Sequence, residues 1–291
     1  MVKRLKLGLA LGAGGTKGAA HVGVMKVLQE AGIPVDVIAG TSIGSLYGGA
    51  FAAGYTTQEM EDGIRNYPRA DVIRFFVHRL KIRHNNPLAR YFYDRLAGLS
   101  IERLPMTFGA TASDIVEHRS VTITSGPLID AIEASIAIPV LARPVAYQGR
   151  YLLDGGFWDS APVDAAAELG ADVVVAVELG DRWQMPMNLR APATWLADRM
   201  QSVSLRRSIA GVPFTLNAVM RDLPKRRQAE IVIRPEKLRG TPFQMSQCLD
   251  AGIAAARDAL PAIRALLAGE PLPVAADGRE AVSFQPSAVS P

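Results

Sequence analysis

Val35-Asp36-Val37-Ile38-Ala39-Gly40-Thr41-Ser42-Ile43-Gly44 is the stretch from which the rest of the chain is read. Its apolar, β-branched first half reads as a buried strand, a Gly-x-Ser-x-Gly turn follows, and residues 42–53 read as a small-residue helix ending at Gly54. A serine between strand and helix in this setting sits on a very tight turn. The positions two before and two after it must then lack side chains, here Gly40 and Gly44, and the Ser42 hydroxyl is left above the sheet. The helix that follows aims its first amides and positive dipole end at the same point, which favours an alkoxide or a developing oxyanion. Ser42 is therefore a candidate nucleophile; the plainer role is a helix N-cap.

Upstream, the apolar run 5–11 ends in Gly12-Ala13-Gly14-Gly15-Thr16-Lys17-Gly18, and residues 18–31 carry Ala20, Val24, Val27 and Leu28 at helical spacing. The order is strand, glycine-rich loop, helix, and amides freed by glycine in such a loop can converge on an anion. A dinucleotide fingerprint fails because Lys17 stands where its third glycine belongs, and a Walker loop fails because Lys17 is followed by Gly18. An oxyanion hole remains. In a parallel sheet the loops after neighbouring strands lie side by side, so Gly14 and Gly15 can face Ser42. Lys17 orients that loop, meets an anionic head group, or is a solvated first-turn residue.

Downstream, strands are expected at 107–111, 120–124, 145–153, 173–178 and 231–233, with helices at 127–137, 163–169 and 245–267. Alternation of this kind predicts an α/β fold with a mainly parallel central sheet and helices on both faces. Two segments depart from it. Arginines and aromatic residues interleave over 65–103, which reads as a basic helical cap insertion, and a second basic segment spans 199–239. Residues 270–291 lack periodicity and read as a disordered tail, leaving one domain over 5–268.

At 291 residues the chain is long enough for one large core, and 49% hydrophobic with 21% charged residues is a globular composition. A net charge of +4 is too small for a dedicated nucleic-acid binder, and no nucleic-acid partner is expected. One cysteine, Cys248, excludes a disulfide framework and a Cys-based zinc site, and four scattered histidines argue against a histidine metal cluster; no metal or other cofactor is expected. The basic, then apolar N-terminus mimics a signal peptide, but the run is short and collapses into glycine, so it reads as the first strand. The uncharged stretch 37–58 is long enough to span a bilayer, yet its serines, threonines and glycines make it a poor apolar span. A cytoplasmic location is expected, with peripheral membrane contact through the basic segments.

A serine nucleophile needs a base. His78 and His84 fall in the basic cap, His118 in a turn beside Glu117 and Arg119, and His21 on the first helix, so no histidine is well placed. Asp154-Gly155-Gly156 follows the strand run Tyr151-Leu152-Leu153, where two glycines let another loop approach. A desolvated carboxylate at a strand end can accept a serine proton as attack occurs. Taken alone, Asp-Gly is equally an ordinary turn.

The glycine-rich loop with Lys17, the Gly40-Thr41-Ser42-Ile43-Gly44 turn and Asp154-Gly155-Gly156, in that order, resemble the patatin-like phospholipase family, in its bacterial form. Ala134-Ser135-Ile136-Ala137-Ile138-Pro139, the stretch before Asp154 and Pro162 after it also resemble family patterns, so the likeness covers roughly residues 5–180. Ala13 and Asp159 depart from it, standing where Gly and Asn are frequent. The resemblance implies a three-layer α/β/α hydrolase with Ser42 as nucleophile, Asp154 as base, Gly155 and Gly156 completing the Asp motif, and an oxyanion hole built by Gly12, Gly14, Gly15, Lys17 and Gly18. It implies cleavage of carboxylic esters of lipids, of phospholipase A or lysophospholipase type, through an acyl-enzyme. The partners are then a lipid or lysophospholipid and, through the basic segments, an anionic membrane surface. Three other readings stay open: a phosphate- or nucleotide-binding protein using loop 12–18, an inactive hydrolase scaffold, and an acyltransferase with the same two residues.

Overall fold

A computed structural model describes residues 4–66, 94–138, 142–180, 227–238, 241, 244–270 and, as backbone, 282–284. The strands are β1 (Leu7–Leu11), β2 (Val37–Thr41), β3 (Thr107–Asp114), β4 (Arg119–Ile123), β5 (Val145–Tyr147), β6 (Arg150–Asp154), β7 (Val173–Val177), β8 (Ile231–Ile233) and β9 (Val282–Phe284). The helices are α1 (Ala19–Glu30), α2 (Ile43–Ala52), α3 (Thr57–Asn66), α4 (Leu128–Ser135), α5 (Val163–Glu168) and α6 (Met245–Ala268). The strand order is β5-β6-β3-β2-β1-β7-β8-β9, with β4 on β3. Its centre, β3 through β8, is parallel, and the flanking pairs are antiparallel.

Period-two burial explains the layers. Leu7, Leu9, Leu11, Val173, Val175 and Val177 face one side, where helices α1, α2, α4 and α6 add Met25, Leu28, Leu46, Ile132 and Ile263 to the main core. Ala10, Val37, Ala39, Val174 and Ala176 face the other, covered by α5 through Val163, Ala165 and Ala166. Small strand residues let that six-residue helix and the turn after it lie close: a methyl on Gly8 would sit 3.5 Å from the Ala166 methyl and 2.5 Å from that of Ala171.

Three details differ from the sequence reading. Residues 145–153 are not one strand but a hairpin, because Gln148 and Gly149 both take positive φ, 46° and 77°, as a two-residue primed turn requires. Helix α3 was not expected; a capping box starts it, with Glu59 Oε2 accepting from the Thr56 amide and Thr56 Oγ1 accepting from the Glu59 amide. Within the segment after residue 270 that reads as a tail, β9 pairs antiparallel with β8. The uncharged 37–58 stretch is divided among β2, α2 and the start of α3, and no described helix is long and apolar enough to cross a membrane. Most of the expected cap, 67–93, lies outside the described residues, as does 199–226 of the second basic segment.

One register positions everything that follows. β4 occupies one edge of β3 over residues 110–114, so β2 and β6 share the other edge. β2 runs parallel to β3 and ends with Thr41 opposite Thr111; β6 runs antiparallel and ends with Asp154 opposite Ala112. The carboxyl ends of two strands from distant parts of the chain therefore meet head-on.

Candidate functional site

At that meeting point Ser42 takes φ 54° and ψ −124°, a backbone state that costs a non-glycine residue energy and persists only when its surroundings impose it. The surroundings are tight. A methyl on Gly40 would lie 2.5 Å from the Gly44 carbonyl oxygen and 2.6 Å from Ser45 Cα, and one on Gly44 would press into the Leu11 carbonyl. The Ser42 carbonyl accepts from the Ser45 amide at 2.8 Å and from the Ser45 hydroxyl at 2.6 Å, which starts α2 directly under the serine.

The Ser42 hydroxyl donates to Asp154 Oδ2 at 2.5 Å, between residues 112 positions apart. Asp154 Oδ1 accepts from the Gly156 amide at 2.8 Å. Both side chains are nearly enclosed, with 6% and 7% relative exposure. Burial raises the Asp154 carboxyl from 3.8 to about 6, against the opposing pull of the hydrogen bonds from Ser42 and Gly156. Asp154 is thus a proton acceptor strengthened by desolvation yet ionised at neutral pH.

Loop 12–18 lies against both. A methyl on Gly18 would strike Ile43, and one on Gly156 would come within 3.0 Å of the Ala13 methyl, so the three glycine motifs interlock through their missing side chains. The loop's amides divide into two groups. Gly12 donates to the Val177 carbonyl at 3.0 Å, Ala13 to the Ser160 carbonyl at 2.8 Å and Lys17 to the Gly14 carbonyl at 3.2 Å. These bonds occupy the Gly12 and Lys17 amides, which the sequence reading had included among the oxyanion donors, because the loop must anchor itself to β7 and to the 155–160 turn. The Gly14, Gly15 and Thr16 amides have no partner among the described residues, and they open the 3-10 turn Gly15–Gly18. A methyl on Gly180 would lie 3.1 Å from Lys17 Nζ, so the lysine reaches back along the loop toward the end of β7.

The described histidines, His21 and His118, do not join Ser42. His118 sits at positive φ in the β3–β4 turn and stacks on Trp158, with ring centroids 6.3 Å apart, and His78 and His84 lie outside the described residues. His21 has another place. It is fully buried on α1, and its Nε2 is 2.7 Å from the Gly12 carbonyl oxygen while Nδ1 has no partner among the described residues. Burial lowers its pKa from 6.5 to about 4, so the ring is neutral; a carbonyl only accepts, so the proton is on Nε2. His21 thereby grips the loop. Sequence reading weighed it only as a base and missed this role, and it missed the Ser135 hydroxyl, which accepts from the Ser42 amide at 2.9 Å.

Two of the described basic residues flanking the expected cap are paired. Arg65 pairs with Glu61 and Asp250, and Arg95 pairs with Glu59 and covers the Tyr55 ring at 4.0 Å. In the second basic segment Arg227 pairs with Glu230 and Arg234 with Glu178. Among the described residues no group of acidic, histidine or cysteine side chains is arranged to hold a metal ion.

Residues 9–167 match the family model described as patatin-like phospholipase. The chain is 34% identical over 205 residues to an uncharacterised NTE family protein of Mycobacterium bovis, covering 68% of this chain and 57% of that protein. It is 34% identical over 180 residues to lysophospholipase nte1 of Aspergillus fumigatus, covering 60% of this chain and 12% of that protein. The chain therefore spans little more than half the length of the mycobacterial relative and a small part of the fungal one. In fold it resembles VipD from Legionella pneumophila, with a TM-score of 0.53 at 16% identity over 89% of this chain and 67% of that one.

Proposed function

Because the chain belongs to the patatin-like phospholipase family, we propose that it hydrolyses carboxylic esters of lipids through a Ser42–Asp154 dyad. The observation that carries the reading is the 2.5 Å hydrogen bond from the Ser42 hydroxyl to a buried Asp154 carboxylate. Ser42 Oγ attacks the ester carbonyl and its proton passes to Asp154 Oδ2. The negative charge that develops on the carbonyl oxygen is held by the amides that loop 12–18 leaves unpartnered, Gly14, Gly15 and Thr16, and by the amino end of α2. Asp154 then returns the proton to the leaving alcohol, leaving an acyl-Ser42 ester. A water, losing its proton to Asp154, attacks that ester, and collapse of the second intermediate frees the fatty acid and restores both side chains. No step in this cycle draws on a cofactor.

The substrate class is a phospholipid or lysophospholipid. Its support is the family and the lysophospholipase name carried by the fungal relative. Peripheral attachment to an anionic membrane surface, through the basic segments, belongs to the same proposal. The test is labelling by a fluorescent fluorophosphonate in wild type, Ser42→Ala and Asp154→Asn. Labelling lost with Ser42→Ala and slowed with Asp154→Asn is expected; folded wild-type protein that takes no label sinks the dyad.

A further inference from the structure

The segment from Ser135 to Ala137, where α4 ends, touches the backbone of both dyad members. The Ser42 amide donates to Ser135 Oγ at 2.9 Å, and two residues on, the Ala137 carbonyl accepts from the Asp154 amide at 2.9 Å. The Ser135 hydroxyl uses its proton in the other direction, donating to the Thr111 carbonyl at 2.6 Å. Thr111 is the β3 residue opposite Thr41, and its carbonyl also rests against Gly155. Ser135 is fully buried, so no water competes for these bonds.

A hydroxyl that accepts from one segment while donating to another fixes both. Ser42 is the residue that needs fixing, since its φ of 54° is not a state the backbone holds unaided. Among the described residues Ser135 Oγ is the acceptor for its amide. We infer that Ser135 is a positioning residue for the reaction: by tying the Ser42 amide to the Thr111 carbonyl, it holds Oγ on Asp154 Oδ2. The inference rests on the dyad proposed above. Ser135 touches neither reacting atom, so its removal should act on the chemical step and not on substrate binding.

The test compares Ser135→Ala and Ser135→Thr with wild type on a soluble short-chain ester, with competent sites counted by fluorophosphonate titration. Ser135→Ala is expected to lower kcat per titrated site at least about ten-fold, with KM within about two-fold. Ser135→Thr keeps the hydroxyl and is expected to recover most of the loss. Ser135→Ala with wild-type turnover per site overturns the inference, as does a loss that Ser135→Thr shares in full while folded. Should Ser135→Ala not fold, Ser135→Cys fills the site with a slightly larger group and weakens both hydrogen bonds, and wild-type turnover per site in that variant overturns it equally. Ser42→Ala separates the two claims. If it retains full turnover, the dyad has failed; if it is dead while folded Ser135→Ala turns over as wild type, only the role of Ser135 has failed.

Discussion

Thr41 and Asp154 end two strands that approach each other along one edge of β3, paired with its consecutive residues Thr111 and Ala112. The next residue after Thr41 is Ser42, so the register of β3 sets the distance across which its hydroxyl meets the carboxylate. Four measurements follow from the way this junction is buried and packed.

Turnover should have an acid limb set by Asp154. Its carboxyl is raised to about 6 by burial, and only the ionised form can take the Ser42 proton. The profile of kcat/KM against pH is expected to fall about ten-fold for each unit below about pH 6, with a plateau above it. A limb centred near 4 would mean that the carboxyl is not desolvated in the working enzyme.

The same burial predicts that the dyad is kept at a cost in stability. A folded-state value raised from 3.8 to about 6 means that this group's contribution is complete below about pH 4 and is lost as pH rises through 6. At pH 7.5 the buried charge costs about 3 kcal/mol. Asp154→Asn should melt about 5 °C above wild type at pH 7.5, and the advantage should vanish near pH 4. Thermal melts across that range read it directly, and an advantage that does not change with pH would contradict it.

His21 behaves with the opposite sign. Its value, lowered from 6.5 to about 4, gives stability that is present above pH 6.5 and lost as pH falls through 4. His21→Gln, which can still donate to the Gly12 carbonyl, carries no titrating ring. Its Tm deficit relative to wild type should therefore shrink as pH falls from 7 to about 4. A deficit constant over that range would show that the buried ring does not titrate as its burial requires.

Two glycines separate lack of space from backbone conformation. A methyl on Gly44 would meet the Leu11 carbonyl, so Gly44→Ala must displace a central strand or the turn at Ser42, at about 3 kcal/mol or more. Gly15 has φ 56° and open space around its Cα, so Gly15→Ala costs only the left-handed conformation, about 1 kcal/mol. Denaturant melts of the two variants should differ accordingly, and equal losses would refute the packing described at Gly44.

Much of the site was legible because its parts are local. The turn at Ser42 needs glycines two residues to either side, the loop after β1 needs amides without side chains, and Asp154 ends an apolar run; contiguous residues state each of these. Where local signals were overlooked, as in the Thr56–Glu59 capping box or the Gln148-Gly149 turn, the chemistry was still written in neighbouring positions.

The amino-acid sequence by itself therefore determined the strand-loop-helix order, the inward faces of the central strands and the residue types able to carry acyl chemistry, since dihedral preference and hydrophobic period act over a few residues. Only the tertiary structure decided that Asp154 and no described histidine lies against Ser42, that the Gly12 and Lys17 amides are spent on anchoring the loop, and that His21 and Ser135 hydrogen-bond to the backbone at Gly12 and Ser42. Those are contacts between segments tens of residues apart, set by strand register and buried hydrogen bonds, and they exist only once the sheet has closed around them.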